Sequence, residues 1–174
     1  MGERAIIVVP HDPGWPAHYA AERSRLQTLL SHCICAIHHI GSTSIPGLAA
    51  KPVIDMIVEV RRLDDIDVNA AQLVELGYAA RGEYGIPGRR FFTKGESLRT
   101  HHLHDYAQGD PHIDRHLAFR DFLRAHADVA EAYGRLKMNV AASCNNDIGL
   151  YCAGKEEFVN RTERAAIAWR ASTR

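Results

Sequence analysis

The stretch with the most chemical content runs His38-His39-Ile40-Gly41-Ser42-Thr43-Ser44-Ile45-Pro46-Gly47-Leu48-Ala49-Ala50-Lys51-Pro52-Val53-Ile54-Asp55. A β-branched segment empties into Gly41, where the backbone can come close to a ligand. Three hydroxyls follow, Ser42, Thr43 and Ser44, which together with free amide N–H groups can cradle an anion such as phosphate. A polar turn that merely caps a helix has the same composition. In the next run, Val53 to Val60, alternate residues share a face, so Val53, Asp55, Ile57 and Glu59 point one way and Ile54, Met56, Val58 and Val60 the other. A carboxylate inside an apolar strand is either hydrogen-bonded structurally or presented to a cation or substrate, and the second reading is preferred for Asp55. Glu59 lies roughly 13 Å further on at ~3.3 Å per residue, too far to share an ion with Asp55, and reads as an exposed strand end.

A second piece is Thr100-His101-His102-Leu103-His104. His102 and His104 share one face of an extended segment, about 6–7 Å apart along it, and can converge on a single ion or phosphate. His38 and His39 face opposite ways and cannot chelate together, while His18, His32 and His126 fit solvated helix faces. Basic residues gather at Arg81, Arg89, Arg90, Lys94 and Arg99 against Glu83 and Glu96. Further on, Arg120, Lys137 and Lys155 sit beside apolar stripes, with Tyr151 four residues before Lys155 on one helix face. Such groups clamp phosphates or carboxylates, and they also fit solvated helix faces with ordinary ion pairs. The functional reading takes Gly41, Ser42, Thr43 and Ser44 as the anion cradle and Asp55, His102 and His104 as ligands of a divalent metal. Lys51, Arg90, Arg120, Lys137 and Lys155 neutralise charge, and Tyr151 orients the substrate. Asp55, Lys51 and Tyr151 are the candidates for the chemistry itself.

These residues need a scaffold, and 174 residues, 46% hydrophobic and 24% charged, suffice for one globular domain with a sizeable core. Lys plus Arg equals Asp plus Glu at 21 each, so no overall field draws the chain strongly to nucleic acid or anionic lipid. No apolar run approaches the ~20 residues of a membrane helix, and a cytoplasmic protein is expected. Cys33, Cys35, Cys144 and Cys152 are too few for a disulfide scaffold and are expected as buried, inert thiols.

Ile6 to Val9 reads as a short β run, and Asp12 can cap a helix over Pro16 to about Leu30. That helix buries Tyr19, Arg23, Leu26, Leu29 and Leu30, with Glu22 and Arg25 outside. Strands are expected at Ile34 to Ile40 and Val53 to Val60. A helix opening at Asp64 or Asp67, with Ala70, Ala71, Val68 and Val74 in helical spacing, ends at Gly77. Strand-like segments resume at Tyr78 to Arg81, Arg89 to Lys94 and Leu98 to Tyr106. Helices follow Gly109, one of them opened by Asp128 and Glu131 as a variant capping box. The expectation is one α/β (α+β) domain over residues 1–174, sheet-containing over about 1–108 and helical over about 110–172.

Taken together, several pieces of the chain make it similar to the GrpB family, also called UPF0157. They are His11-Asp12-Pro13 with Trp15-Pro16, His39 through Leu48, Lys51-Pro52 with Ile54-Asp55, His102-Leu103-His104, Phe119-Arg120-Asp121 with Leu123-Arg124, and Tyr151 with Lys155. The resemblance spans about Val8 to Trp169. That family belongs to the nucleotidyltransferase superfamily of the DNA polymerase β type. The resemblance implies a small mixed sheet flanked by helices, with Gly41-Ser42 on the phosphate side and Asp55 as the first metal carboxylate.

Active superfamily members place a second carboxylate two residues later to hold two Mg²⁺ ions, and here that position is Ile57. His102-Leu103-His104 resembles the counterpart of the third carboxylate and offers imidazole, which suits zinc, manganese, iron or nickel better than magnesium. The implied cofactors are a divalent metal (magnesium, manganese or zinc) and ATP or another nucleoside triphosphate, with an anionic small molecule or nucleotide as partner. Three functions follow: nucleotidyl transfer; a metal-dependent lyase, cyclase or hydrolase on an amino-acid-like substrate; or a binding or regulatory module without turnover.

Overall fold

The computed structural model describes residues 5–173, so the ends of the 1–174 span lie outside the described residues. Helix α1 (Trp15–Leu29) begins with Pro16 in its first turn, where a missing N–H costs nothing. Strands β1 (Ile34–Ile40) and β2 (Ile54–Val60) follow, then two short helices, α2 (Leu63–Val68) and α3 (Ala70–Glu75). Strands β3 (Tyr78–Ala80), β4 (Arg90–Lys94) and β5 (His101–Ala107) complete the sheet. Helices α4 (Pro111–Ala125), α5 (Ala127–Ser143) and α6 (Ile148–Ser172) complete the chain. The five strands form one mixed sheet in the order β1-β2-β5-β4-β3, in which only β2 and β5 run parallel.

The strand alternation sorts the sheet into two faces. Ile54, Met56, Val58, Val60, Leu103, Phe92 and Tyr78 pack with Leu26 of α1, Leu30 just after it, Ile66 of α2 and Leu73 of α3 in the largest core cluster. On the other face Ile57 and Tyr106 pack against Ile113 and Leu117 of α4. The C-terminal helices bury Leu123, Ala130 and Tyr133 against Ile45 and Leu48 of the β1–β2 connection. That contact lays the helical part over the turn that carries Gly41 and Ser42. Asp110 and Asp147 cap α4 and α6 by accepting from the N–H groups of His112 and Gly149 at 2.8 and 2.7 Å.

Several local expectations are corrected. Ile6 to Val9 forms no strand beyond a single bridge, Val9 to Ala50. The 64–77 helix breaks at Asn69 into α2 and α3, which bury Ile66 and Leu73 and leave Val68 and Val74 exposed. Asp12 accepts from the Gly14 N–H in a tight turn, and α1 carries no side-chain cap. The first turn of α5 holds Asp128, but its cap position is His126, so no capping box forms. Leu98 is 79% exposed and precedes β5. Cys33 and Cys144 are buried, whereas Cys35 and Cys152 are exposed, all four as free thiols. Arg23 is exposed and Glu22 is buried, because Glu22 accepts from the Tyr78 hydroxyl and the Lys94 amine, both at 2.7 Å.

Asp105 of β5 projects into the large core with neither carboxylate oxygen hydrogen-bonded among the described residues, and burial pushes its carboxyl well above the usual range. A raised pKa supports stability below the unfolded value of 3.8 and loses that support as pH rises through the folded value. Asp105→Leu is therefore expected to stabilise the chain by roughly 1–3 kcal/mol at pH 7, the usual cost of an unsatisfied buried polar group. The gain should shrink as pH falls toward 4. Urea denaturation across that interval checks it, and a gain independent of pH would contradict it.

Candidate metal centre and anion cleft

The parallel pairing of β2 with β5 sets Asp55 opposite His102 and Ile57 opposite His104, which lays the carboxylate between two imidazoles on one face. His102 Nδ1 stands 3.0 Å from Asp55 Oδ1, and His104 Nε2 stands 3.5 Å from the same oxygen. The three ligand atoms lie within 4.8 Å of one another. Burial alone would raise the Asp55 pKa. Hydrogen bonds and positive charge from His102 and His104 outweigh it and hold the carboxyl well below the usual carboxylate range. Gly41 makes the approach feasible: it adopts φ +69° and ψ −174°, and a Cβ there would lie 2.8 Å from Asp55 Oδ2.

The residues after Gly41 divide their roles. Thr43 Oγ1 is 2.9 Å from His39 Nε2 and within 3.4 Å of the Val53 carbonyl, while the Ser44 hydroxyl donates to the Gly41 carbonyl at 2.6 Å. Both side chains are buried, and both hold the turn from inside. Ser42 alone among the three lines a cleft of about 580 Å³ that lies between the turn and helices α4, α5 and α6. The Lys137 amine donates to the Ser42 hydroxyl at 2.7 Å and also to the Ala49 carbonyl.

Three lysines converge beside this turn. Lys51 and Lys155 stand over the ring of Tyr151, 5.2 and 4.6 Å from its centroid, and Lys137 stands 4.5 Å over Tyr133. None of the three makes an ion pair among the described residues. Burial and then the charge of Lys155 push Lys137 down to about 7, with Asp55 acting in the opposite direction. Burial also lowers Lys155, and Lys51 adds to the effect.

The fold thus brings together Gly41, Ser42, Lys51, Asp55, His102, His104, Lys137, Tyr151 and Lys155, and it places the other candidates elsewhere. Tyr151 is 1% exposed and serves as an aromatic bed for two ammonium groups. Arg90 lies on the opposite sheet face, because β4 alternates too, and forks onto the Asp67 carboxylate at 2.6 and 2.8 Å. Arg120 is committed to Asp121 at 2.7 Å and to the His39 carbonyl at 3.1 Å. Glu59 is half-buried and 3.3 Å from His38 Nε2, not an exposed strand end.

Two further residues border the triad, His116, which sequence reasoning passed over, and Arg89, which it placed only in a basic group. His116 of α4 lines the cleft, its ring 5.8 Å from that of His104, and burial pushes its imidazole down to about 3. The i, i+4 spacing of His112 and His116 on an amphipathic helix was the available signal. Arg89, 6% exposed, reaches His104 Nδ1 at 3.3 Å; the local excess of basic residues marked it as an anion clamp, and nothing in the sequence aims it at His104.

A mixed sheet carrying a Gly-Ser turn beside a strand carboxylate, with helices on both faces, is a nucleotidyltransferase-like fold. Cid1 poly(U) polymerase superposes on 75% of this chain and 42% of its own with a TM-score of 0.51, at 12% identity, a likeness of fold alone. The chain belongs to the GrpB family, whose model, described as GrpB protein, matches residues 5–165. It is 37% identical to the conserved protein GrpB from Enterococcus faecalis, whose crystal structure superposes with a TM-score of 0.91 over 94% of this chain and 99% of that one. It is also 44% identical to UPF0157 protein YqkA of Bacillus subtilis over 97% of this chain. It spans about half the length of that relative, 49%. The glutamate-rich protein GrpB of Alkalihalophilus pseudofirmus is 34% identical, over 89% of this chain and 92% of the relative. Among the described residues no helix is long and apolar enough to cross a membrane.

Proposed function

We propose that this protein binds a nucleotide or another phosphorylated small molecule in the cleft beside one divalent ion held by Asp55, His102 and His104. The observation that carries the reading is that three potential ligands meet at one carboxylate oxygen next to three lysines that lack carboxylate partners. Two imidazoles and one carboxylate suit a borderline ion such as zinc, and manganese binds such a mixed set more readily than magnesium. A pair of magnesium ions does not suit the site, because Ile57 is fully buried with Ile40, Tyr106 and Ile113 where a second carboxylate would be needed.

The chain's own groups have definable tasks. Lys51 and Lys155 neutralise phosphate charge from their positions on Tyr151. Ser42, whose oxygen already accepts from Lys137, keeps its own proton to donate to an anion. A bound ion would supply Lewis acidity at a phosphoryl oxygen. With turnover, the reaction would be nucleotidyl transfer, in which a hydroxyl or amine attacks the α-phosphate and pyrophosphate departs. The burial of Ile57 favours a second reading without nucleotidyl transfer, either a binding module or a metal-dependent lyase, cyclase or hydrolase.

Calorimetry with Zn²⁺, Mn²⁺ and Mg²⁺, each with and without ATP, tests the proposal. Zinc or manganese is expected to bind more tightly than magnesium, and ATP more tightly with the ion than without it. Lys155→Ala should weaken ATP about tenfold, the worth of one charge-assisted contact. No heat in any combination would remove the reading, and metal binding without any ATP response would favour the second.

A further inference from the structure

Arg89 lies just before β4 and is enclosed beside the triad. Its Nε donates to the Glu83 carbonyl at 3.2 Å, its Nη2 to the Tyr84 carbonyl at 2.8 Å, and its guanidinium lies 4.7 Å over the ring of Phe91. The remaining Nη1 reaches His104 Nδ1 at 3.3 Å. A guanidinium has donors only, so His104 Nδ1 is the accepting nitrogen and the ring proton sits on Nε2, facing Asp55 Oδ1 at 3.5 Å. Nε2 is also the atom that an ion shared with Asp55 and His102 requires. A metal-bound imidazole carries its proton on the other nitrogen. There it would meet Arg89 donor against donor.

A second position for the guanidinium lies close by. Tyr106 is on the same sheet face as His102 and His104, and its hydroxyl is buried without a hydrogen-bond partner among the described residues. Arg89 is near enough for its charge to act on that hydroxyl.

The geometry points to Arg89 as a lock on the triad. Its Nη1 holds His104 in the tautomer that faces Asp55, and an ion gains His104 only when Nη1 moves to the Tyr106 hydroxyl. One N–H bond breaks at Nε2 and one forms at Nδ1, water carries the proton, and the lone pair freed at Nε2 goes to the ion. The inference rests on the metal reading above and adds a control to it.

Nitrogen-15 NMR of the metal-free full chain reads the tautomer directly. Nε2–H on His104 is expected, and Nδ1–H would overturn the lock. Zinc titrations of the wild type, Arg89→Met, Arg89→Lys and Tyr106→Phe test the competition. Arg89→Met should bind zinc at least roughly tenfold more tightly, at the lower end of effects seen for groups that orient metal ligands. Arg89→Lys keeps the charge but loses the fork, and should also bind more tightly than wild type. Tyr106→Phe, lacking the second position, should bind more weakly. Equal affinity in the wild type and both Arg89 variants would overturn the lock and leave the metal reading standing. No zinc binding by any of the four chains would remove the metal reading and the lock with it. Because Arg89 also ties the 83–84 loop, the Arg89→Lys variant and the wild-type tautomer carry the test if Arg89→Met does not fold.

Discussion

Gly41→Ala is expected to cost roughly 1–3 kcal/mol of stability and to lower zinc affinity by about ten- to a hundredfold, the range for disturbing groups that support metal ligands. At φ +69° and ψ −174° the residue occupies a backbone region that is essentially reserved for glycine, so any side chain adds strain. The larger effect is local. The new methyl would lie 2.8 Å from Asp55 Oδ2 and 3.1 Å from Asp55 Cβ, so the carboxylate must leave the position in which Oδ1 faces both His102 and His104. Gly47→Ala separates the two causes, because Gly47 has φ +76° but nothing within 4 Å of an added Cβ. It should lose stability and retain zinc. Urea denaturation and zinc calorimetry on both variants make the comparison, and full zinc affinity in folded Gly41→Ala would refute the argument.

Glu22→Ala is expected to destabilise the chain by about 3–5 kcal/mol, the usual result of removing one partner from a buried charged network. Glu22 is 1% exposed and receives hydrogen bonds from Tyr78 and Lys94 at 2.7 Å and from Arg25 at 3.2 Å. Its removal leaves the Tyr78 hydroxyl buried and the Lys94 amine without its carboxylate. The network joins α1 to β3 and β4, so the loss falls on the packing of that helix against the sheet. Burial raises the Glu22 pKa, but the bonds from Lys94 and Tyr78 prevail and lower it below 4.5. A depressed pKa gives stability above the unfolded value that is lost as pH falls through the folded one. The isosteric Glu22→Gln should therefore lie furthest below the wild type near neutrality and approach it in acid. Chemical denaturation at pH 7 and at pH 3 checks this, and a constant difference would contradict it.

The outcomes at individual residues show which physical rules reach across a sequence. Asp55, His102 and His104 were legible because strand alternation is a local rule: residues two apart share a face wherever the chain is extended. The same rule failed to exclude Arg90, since a residue's face is known only relative to its own strand, and the pairing of β4 with β5 turned Arg90 toward Asp67. Glu22 was placed outside because charge argues for solvent, and its partners Tyr78 and Lys94 lie 56 and 72 residues away. Thr43 and Ser44 had the right chemistry for a cradle, yet a turn this tight needs acceptors and donors of its own. Their hydroxyls meet that need.

What the amino-acid order determined by itself is the set of elements and the glycine-hydroxyl turn leading to a strand carboxylate, because these follow from dihedral preference and side-chain period. What only the tertiary structure decided is that Asp55 stands between two imidazoles, that lysines from three segments gather beside the Gly41-Ser42 turn, and that a buried arginine faces His104. Each of these depends on the register of β5 against β2 or on how the C-terminal helices lie over the β1–β2 turn. Register and helix docking are set by the summed burial of residues far apart in the chain, a quantity no local pattern contains.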